Sequence, residues 1–320
     1  MTGSFQEAIS LISNNDEFLL TGHVNPDGDC LGSVCALGLA LEDMGKKVKW
    51  VSDVELPAMY SIIPGADRFG RPPLYISEKT TVIALDCAVP ARLALAAIDT
   101  DIDLNIDHHC SNSMFGRINL VEAEAAATGE LVYRLIKALN RPISPRIALA
   151  LYIAIATDTG FFKYSNTRPY SLNLAGELAE IGGLDMGQVA EIVNERKKFG
   201  TIKLLGKALE RMQLSADGKV AWMEVTQTQL KKFGTDLEET EGFVNYCRQV
   251  EGAEIGVLFK ETEHNDVRVS VRSNSNWDVS KLAAHFGGGG HPRAAGCTLA
   301  GSLPVARRKF LTYTAKWMQS

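Results

Sequence analysis

Hydrophobic positions arrive along this chain in two rhythms, and the alternation between them marks out its elements. A helical spacing runs through Phe5–Ile12, then Asn14, Asn15 and Asp16 break it with polar side chains. EFLLTGHV (Glu17–Val24) is a strand pattern that opens into the Pro- and Gly-bearing stretch HVNPDGDCLGS. An apolar helix is expected from Val34 to about Met44, with a free helix start near Gly32 and Ser33. Lys47–Ser52 predicts a second strand, and Thr80–Ala88 a third that stays apolar until it reaches Asp86. Such an unbroken apolar run suits a parallel strand covered on both faces. Ile102–His109 predicts a fourth strand, leading from LNID into two histidines and a polar Cys-Ser-Asn turn.

Helical periodicity follows at Thr128–Leu139, where Thr128 is a candidate cap, and at Ile147–Ala156, punctuated by Pro142 and Pro145. Tyr170–Ile181 is a further helix, and Asp185–Met212 reads as one long charged helix linking two domains. Beyond it the order changes. A strand at Val220–Val225, a helix at Gly242–Val250 and strands at Ala253–Thr262 and Asp266–Ser273 are expected, the last two as a hairpin through His264 and Asn265. A helix over Val279–Phe286 runs into Gly287–Gly290 and His291, and a final helix spans Pro304–Trp317. The prediction is an α/β chain. A doubly wound, mainly parallel sheet (1–190) is followed by a connecting helix (191–215) and a smaller α+β domain (216–320).

A net charge of −5 over 320 residues narrows the function. No global basic field is present to hold long nucleic acid by its phosphates, although a short nucleotide needs only local cations. No apolar run reaches the ~18–20 residues that cross a bilayer, so no membrane partner is expected. The six cysteines form no C-x-x-C pair, and no secretory signal is read at the N-terminus, so reduced thiols in a cytoplasm are expected. Cys30, Cys87 and Cys110 each adjoin candidate site residues, but hard oxygen donors outnumber them and they read as packing residues.

The candidate chemistry lies at strand and helix ends of the first domain. His23, Asp27, Asp29, Asp86, Asp107, His108, His109 and Asp158 all fall there. Taken singly, each has a structural reading as a turn former, a cap or a surface pair. Taken together, the five carboxylates would repel one another unless cations lay between them. A mixed imidazole and carboxylate set suits Mn²⁺, Mg²⁺, Fe²⁺ or Co²⁺. Two such ions ~3.5–4 Å apart activate a water and neutralise a phosphoryl centre. Phosphate ester hydrolysis is the reaction these residues suit.

HVNPDGDCLGS, ALDCA, NIDHH and ATDTGFFKYSNT, in this order, resemble the successive motifs of the DHH phosphoesterase superfamily. VSVRSNSNWDVSKLAAHFGGGGHPRAAGC resembles the signature of the DHH-associated C-terminal domain. The two-domain length resembles the small oligoribonucleases (nanoRNases) and 3′-phosphoadenosine 5′-phosphate phosphatases. The resemblance implies two divalent ions, Mn²⁺ first and Mg²⁺ or Co²⁺ next. His23, Asp27 and Asp86 would hold one; Asp29, Asp86, His108 and Asp158 the other. It implies that His109 faces the scissile phosphate, that Asp107 orients an imidazole, and that Arg272, Ser273, Gly288, Gly289, Gly290 and His291 hold the nucleotide, with Arg272 assisting catalysis. Arg293 is a further candidate contact, and Phe161 and Phe162 are either stacking surface or core. The implied substrates are RNA of two to a few nucleotides and nucleotide bisphosphates, and the implied assembly is a homodimer. Rival readings are a cyclic-dinucleotide phosphodiesterase, a family II pyrophosphatase, a long-substrate exonuclease and a nucleotide sensor without turnover.

Overall fold

A computed structural model describes residues 3–72, 75–95, 100–274 and 276–319. The chain divides into two compact units, Met1–Arg196 and Lys197–Ser320.

In the first unit, α1 (Gly3–Asn14) precedes a parallel sheet of β1 (Glu17–Thr21), β2 (Lys47–Val51), β3 (Thr80–Leu85), β4 (Leu104–Asp107) and β5 (Ile118–Val121). The strands lie in the order β2-β1-β3-β4-β5. The order reverses between β1 and β3, and their carboxyl ends flank the crevice where open parallel sheets bind ligands. Phe18, Leu20, Ile83, Leu85, Leu104 and Ile106 pack on one sheet face against the helices. On the other face Leu19, Val82 and Ala84 are covered by Leu93, Leu95 and Ile102 from connecting segments.

The helices are α2 (Gly28–Asp43), α3 (Thr128–Ala138), α4 (Pro145–Asp158), α5 (Pro169–Gly182) and the short α6 (Met186–Ala190). α2 begins six residues earlier than its apolar pattern suggests, because Asp27 caps it by accepting from the amides of Asp29 and Cys30. Asp29 therefore lies in a first helical turn. Gly32 is interior to α2, so no free helix start exists there. A Cβ on Gly32 would fall 2.4 Å from the Ala150 carbonyl oxygen of α4, so the glycine serves a close helix crossing. Thr128 is not the cap of α3 either; Ala127 holds that position and caps nothing with its side chain.

The long helix expected over Asp185–Met212 is broken. After α6, Glu191–Glu195 forms one turn of π-helix, and Arg196 and Lys198 are extended before α7 (Phe199–Glu210) resumes. At this interruption Lys198 pairs with Glu239. α7 also packs Leu204 and Ala208 into the second unit's core, so it is not a free connecting rod.

The second unit is a six-stranded mixed sheet in the order β10-β11-β9-β8-β7-β6. Its strands are β6 (Gln213–Leu214), β7 (Val220–Val225), β8 (Ile255–Glu261), β9 (Asp266–Ser273), β10 (Gly289–His291) and β11 (Ala294–Ala300). The expected hairpin is present as the antiparallel β8–β9 pair, with Ile255 opposite Ser273. Helices α8 (Gln227–Phe233), α9 (Val244–Arg248), α10 (Val279–His285) and α11 (Leu303–Trp317) complete the unit. α9 is shorter than its pattern, since Gly242 turns left-handed at φ 86°. The glycine run is not a loose turn. Gly289 and Gly290 form β10 against β11, and a Cβ on Gly288 would fall 2.1 Å from the Gly296 carbonyl oxygen.

Candidate dimetal site

Three strand ends and two helix ends of the first unit deliver the acids and imidazoles to one place. His23 follows β1, Asp86 follows β3, Asp107 ends β4, and His108 and His109 follow it. Asp27 and Asp29 open α2, and Asp158 is the last residue of α4. Asp86 lies in the left-handed region at φ 54°, which a short polar side chain tolerates better than a branched one.

The carboxylate of Asp86 is divided between two groups of donors. Its Oδ2 lies 3.6 Å from His23 Nε2, and its Oδ1 lies 3.7 Å from His108 Nε2 and 3.7 Å from His109 Nδ1. His23 Nε2 is also 3.9 Å from Asp27 Oδ1. His108 Nε2 is 3.8 Å from Asp29 Oδ2 and 3.6 Å from Asp158 Oδ2. These separations exceed a hydrogen bond and match donors arranged around a shared cation.

Both imidazoles are held in the tautomer that a metal requires. His23 Nδ1 donates to the Val24 carbonyl at 2.8 Å and His108 Nδ1 to the Ala125 carbonyl at 3.2 Å. The Nε2 lone pair of each then points at carboxylate oxygens, an arrangement that needs a proton or a cation between them. His109 differs: its Nδ1 donates to Asp107 Oδ1 at 2.6 Å. Asp107 is fully buried and also accepts from the His108 amide and from Asn112 Nδ2, so it orients without facing solvent.

The charges here are tightly balanced. Burial alone would lower the pKa of His108, but Asp158, Asp29 and Asp86 outweigh it and raise it to about 10. Burial raises Asp158 to about 7, with His108 opposing. Burial and the Asp86 charge also hold Asp29 well above the ordinary carboxylate range. Burial would raise Asp86 too, but His23, His109 and His108 pull it below its ordinary value. His23 and His109 are both raised, because their carboxylate neighbours outweigh burial.

Cys30 Sγ lies within 4.8 Å of donor atoms of His23 and Asp86. Burial, then the charges of Asp86 and Asp27, push its thiol well up, so it stays protonated, and Gly22 packs directly against its sulfur. Phe161 and Phe162 pack against the first unit's core.

Several participants carry little signal in the sequence. Thr128 Oγ1 donates to Asp86 Oδ1 at 3.0 Å, and the amides of Thr128 and Gly129 donate to Asp29 at 2.7 and 3.0 Å. Asn166 Nδ2 reaches Asp158 Oδ2 at 3.4 Å, and Asn112 ties Asp107 to Asn105. Asn112 and Asn166 lie within the polar stretches around the two motifs. Thr128 sits 42 positions from the acid it serves, beyond any local pattern.

In the second unit, Arg272 of β9, Ala294 of β11 and His291 of β10 are opposite one another across three strands. They therefore share one sheet face. Ser273 alternates to the other face, with buried Val269 and Val271, and is 3% exposed. The amides of Gly287 and Gly288 donate to α10 carbonyls, so two of the four glycine amides are engaged internally. Arg293 is exposed.

Residues 17–155 match the DHH family, N-terminal domain, and residues 217–320 match the DHHA1 domain. A protein of Thermus thermophilus named bifunctional oligoribonuclease and PAP phosphatase NrnA is 34% identical over 282 residues, covering 87% of this chain and 83% of that protein. The protein of the same name from Bacillus subtilis is 29% identical over 300 residues, 92% of each chain. The crystal structure of an exopolyphosphatase-related protein from Bacteroides fragilis superposes with a TM-score of 0.89 at 26% identity, covering 99% of this chain and 98% of that one.

Proposed function

This chain belongs to the DHH phosphoesterase family, and from that premise we propose that it hydrolyses RNA of two to a few nucleotides to mononucleotides and 3′-phosphoadenosine 5′-phosphate to AMP and phosphate. The observation that carries the reading is the division of Asp86: one oxygen faces His23 and the other faces His108. A carboxylate shared by two imidazole-bearing donor groups is the arrangement of a bridging ligand between two ions.

The donor set fits such ions. Carboxylates and neutral imidazoles suit Mn²⁺, with Mg²⁺ or Co²⁺ next, and hard oxygen donors outnumber the one thiol, Cys30, at this place. His23, Asp27 and Asp86 would hold one ion, and Asp29, Asp86, His108 and Asp158 the second. When bound, the pair supplies an activated water and neutralises charge developing on the phosphoryl oxygens.

The chain's own residues do the rest. Asp107 fixes His109 through the 2.6 Å bond at Nδ1, leaving Nε2 to donate to a phosphate or to the leaving oxygen. Thr128 and Asn166 hold Asp86 and Asp158 in place. Arg272 and His291, on one sheet face of the second unit, grip substrate phosphate, Arg272 bidentately. The same reading carries a cytoplasmic homodimer, checked by sedimentation of the purified chain and by fractionation.

Turnover with Mn²⁺ decides the matter. A 5′-phosphorylated diribonucleotide, 3′-phosphoadenosine 5′-phosphate, a cyclic dinucleotide and pyrophosphate are the substrates, with Asp86→Ala as control. Cleavage of the first two, lost in the variant, is expected. Cleavage of the cyclic dinucleotide or of pyrophosphate alone sinks the reading.

A further inference from the structure

The second unit holds a charge that its fold does not explain. Lys260 of β8 is 9% exposed, and among the described residues no carboxylate or carbonyl bonds its ammonium. Across the β8–β9 ladder it lies opposite Arg268, and Arg272 stands four residues along β9 on the same face. Burial pulls the Lys260 pKa down; Glu241 opposes this, and Arg268 and Arg272 push it lower, so both guanidinium groups lie within its field.

Two carboxylates answer these three cations. Glu238 is 3.5 Å from Arg268 and Glu241 is 3.6 Å from Arg272, and both Glu side chains are 64% exposed. The charge left over is the buried one. An ammonium taken out of water without a partner is costly, and a fold that keeps one offers a place for an anion. Between the two arginines stands Ser270, with Gly296 opposite it on β11 and buried Leu258 opposite it on β8, and Ala294 lies opposite Arg272. Four residues of strand separate the Arg272 end from the Lys260–Arg268 end by about 13 Å of backbone. The Arg272 guanidinium nevertheless lies within the field of the Lys260 ammonium, so long side chains from the two ends bring both anion positions within reach of one small ligand.

We propose that Lys260 and Arg268 form a second phosphate seat beside that of Arg272, making the chain select substrates that carry two phosphate groups. Glu238 and Glu241 stand in for those phosphates and are displaced when substrate binds. The inference rests on the phosphoesterase reading above and names the feature of the substrate that the second unit reads.

The test uses the full chain. Adenosine 3′,5′-bisphosphate and AMP are titrated calorimetrically in chelator, and a diribonucleotide with and without its 5′-phosphate is turned over with Mn²⁺. The wild type is expected to bind the bisphosphate at least tenfold more tightly than AMP. Lys260→Met is expected to weaken bisphosphate binding about 10- to 100-fold, the worth of a charged hydrogen bond, and to leave AMP unchanged. In turnover the loss appears in KM for the 5′-phosphorylated substrate, with kcat retained. Lys260→Arg keeps the preference, and the double variant Glu238→Gln, Glu241→Gln tightens the bisphosphate by removing its competitors.

Equal losses on both ligands, no loss on either, or a double variant that binds no more tightly each overturn the seat. If Lys260→Met does not fold, the double variant decides. A wild type that cleaves nothing yet shows the Lys260-dependent preference in chelator removes the phosphoesterase reading and keeps the seat. Turnover without that preference does the reverse.

Discussion

Remove the divalent ions and raise the pH, and the first unit should lose stability. The sign follows from two groups. His108 titrates near 10 in the fold against an ordinary 6.5, so its protonated form stabilises the fold fully below 6.5 and that contribution is lost as pH rises through 10. Asp158 titrates near 7 against an ordinary 3.8, so the fold is penalised increasingly as pH rises from 3.8 to 7. Both trends run downward with pH. Each tenfold change in proton affinity is about 1.4 kcal/mol, and from pH 6.5 to about pH 9 the His108 proton alone contributes up to about 3 kcal/mol. Its side chain is 6% exposed, so solvent screening takes little from this, but relaxation of the crowded acids reduces it to about 2 kcal/mol. For a unit of this size that is a fall of about 4–8 °C in Tm. The assay is thermal unfolding from pH 6.5 to 9 in chelator and again with excess Mn²⁺. With metal the trend reverses, because the ions bind deprotonated imidazoles and their affinity climbs with pH. A metal-free Tm that is flat or rising over this range, or Mn²⁺ stabilisation independent of pH, refutes the reasoning. His108→Gln should flatten most of the metal-free slope.

Asp107→Asn keeps the shape but weakens the bond that aims His109; kcat should fall about 10- to 100-fold while Mn²⁺ affinity, read by titration, moves little. Thr128→Val removes the hydroxyl on Asp86 at the cost of about 1 kcal/mol of stability, and Mn²⁺ affinity should drop while Thr128→Ser restores it. Gly32→Ala drives a methyl into the Ala150 carbonyl and should cost about 1–3 kcal/mol in urea unfolding without touching any site residue. An unchanged midpoint would show that α2 and α4 can separate freely.

The parallel strands of the first unit were legible because each is an apolar run bounded by polar turns. The acids of the site were legible because they stand at the ends of those runs. β5 was not: Ile118–Val121 is four residues long and offers no alternation to count. β11 was hidden by composition, since AAGCTLA is poor in branched residues and forms a strand only through pairing with β9 and β10. α8 did carry a local signal, the reciprocal capping of Thr226 and Gln229, directly after the apolar strand β7. At the break in the expected long helix Lys198 meets Glu239, a tertiary pairing that no window on the sequence contains.

Asp29 shows why the site and the fold of the first unit cannot be assigned separately. It stands in the first turn of α2, yet its oxygens accept the Thr128 and Gly129 amides that open α3, about a hundred positions on, and the Ser33 hydroxyl. A neutral amide would satisfy only part of those donors, because the Thr128 amide donates to Oδ2 while the Gly129 amide and the Ser33 hydroxyl donate to Oδ1. The carboxylate is kept 3.8 Å from His108 with its pKa pushed up by burial and by Asp86, a placement that costs the metal-free fold stability. The helix N-terminus of α3 offsets part of that cost by presenting partial positive charge to it. Asp29→Asn separates the two roles. It keeps one acceptor oxygen, turns an NH2 toward the donors on the other side and removes the buried charge, so the metal-free Tm should change little while Mn²⁺ affinity falls at least tenfold. If instead the variant lost stability in chelator and kept its metal affinity, Asp29 would be a structural link between α2 and α3, and the second ion would have to be held by Asp86, His108 and Asp158 alone.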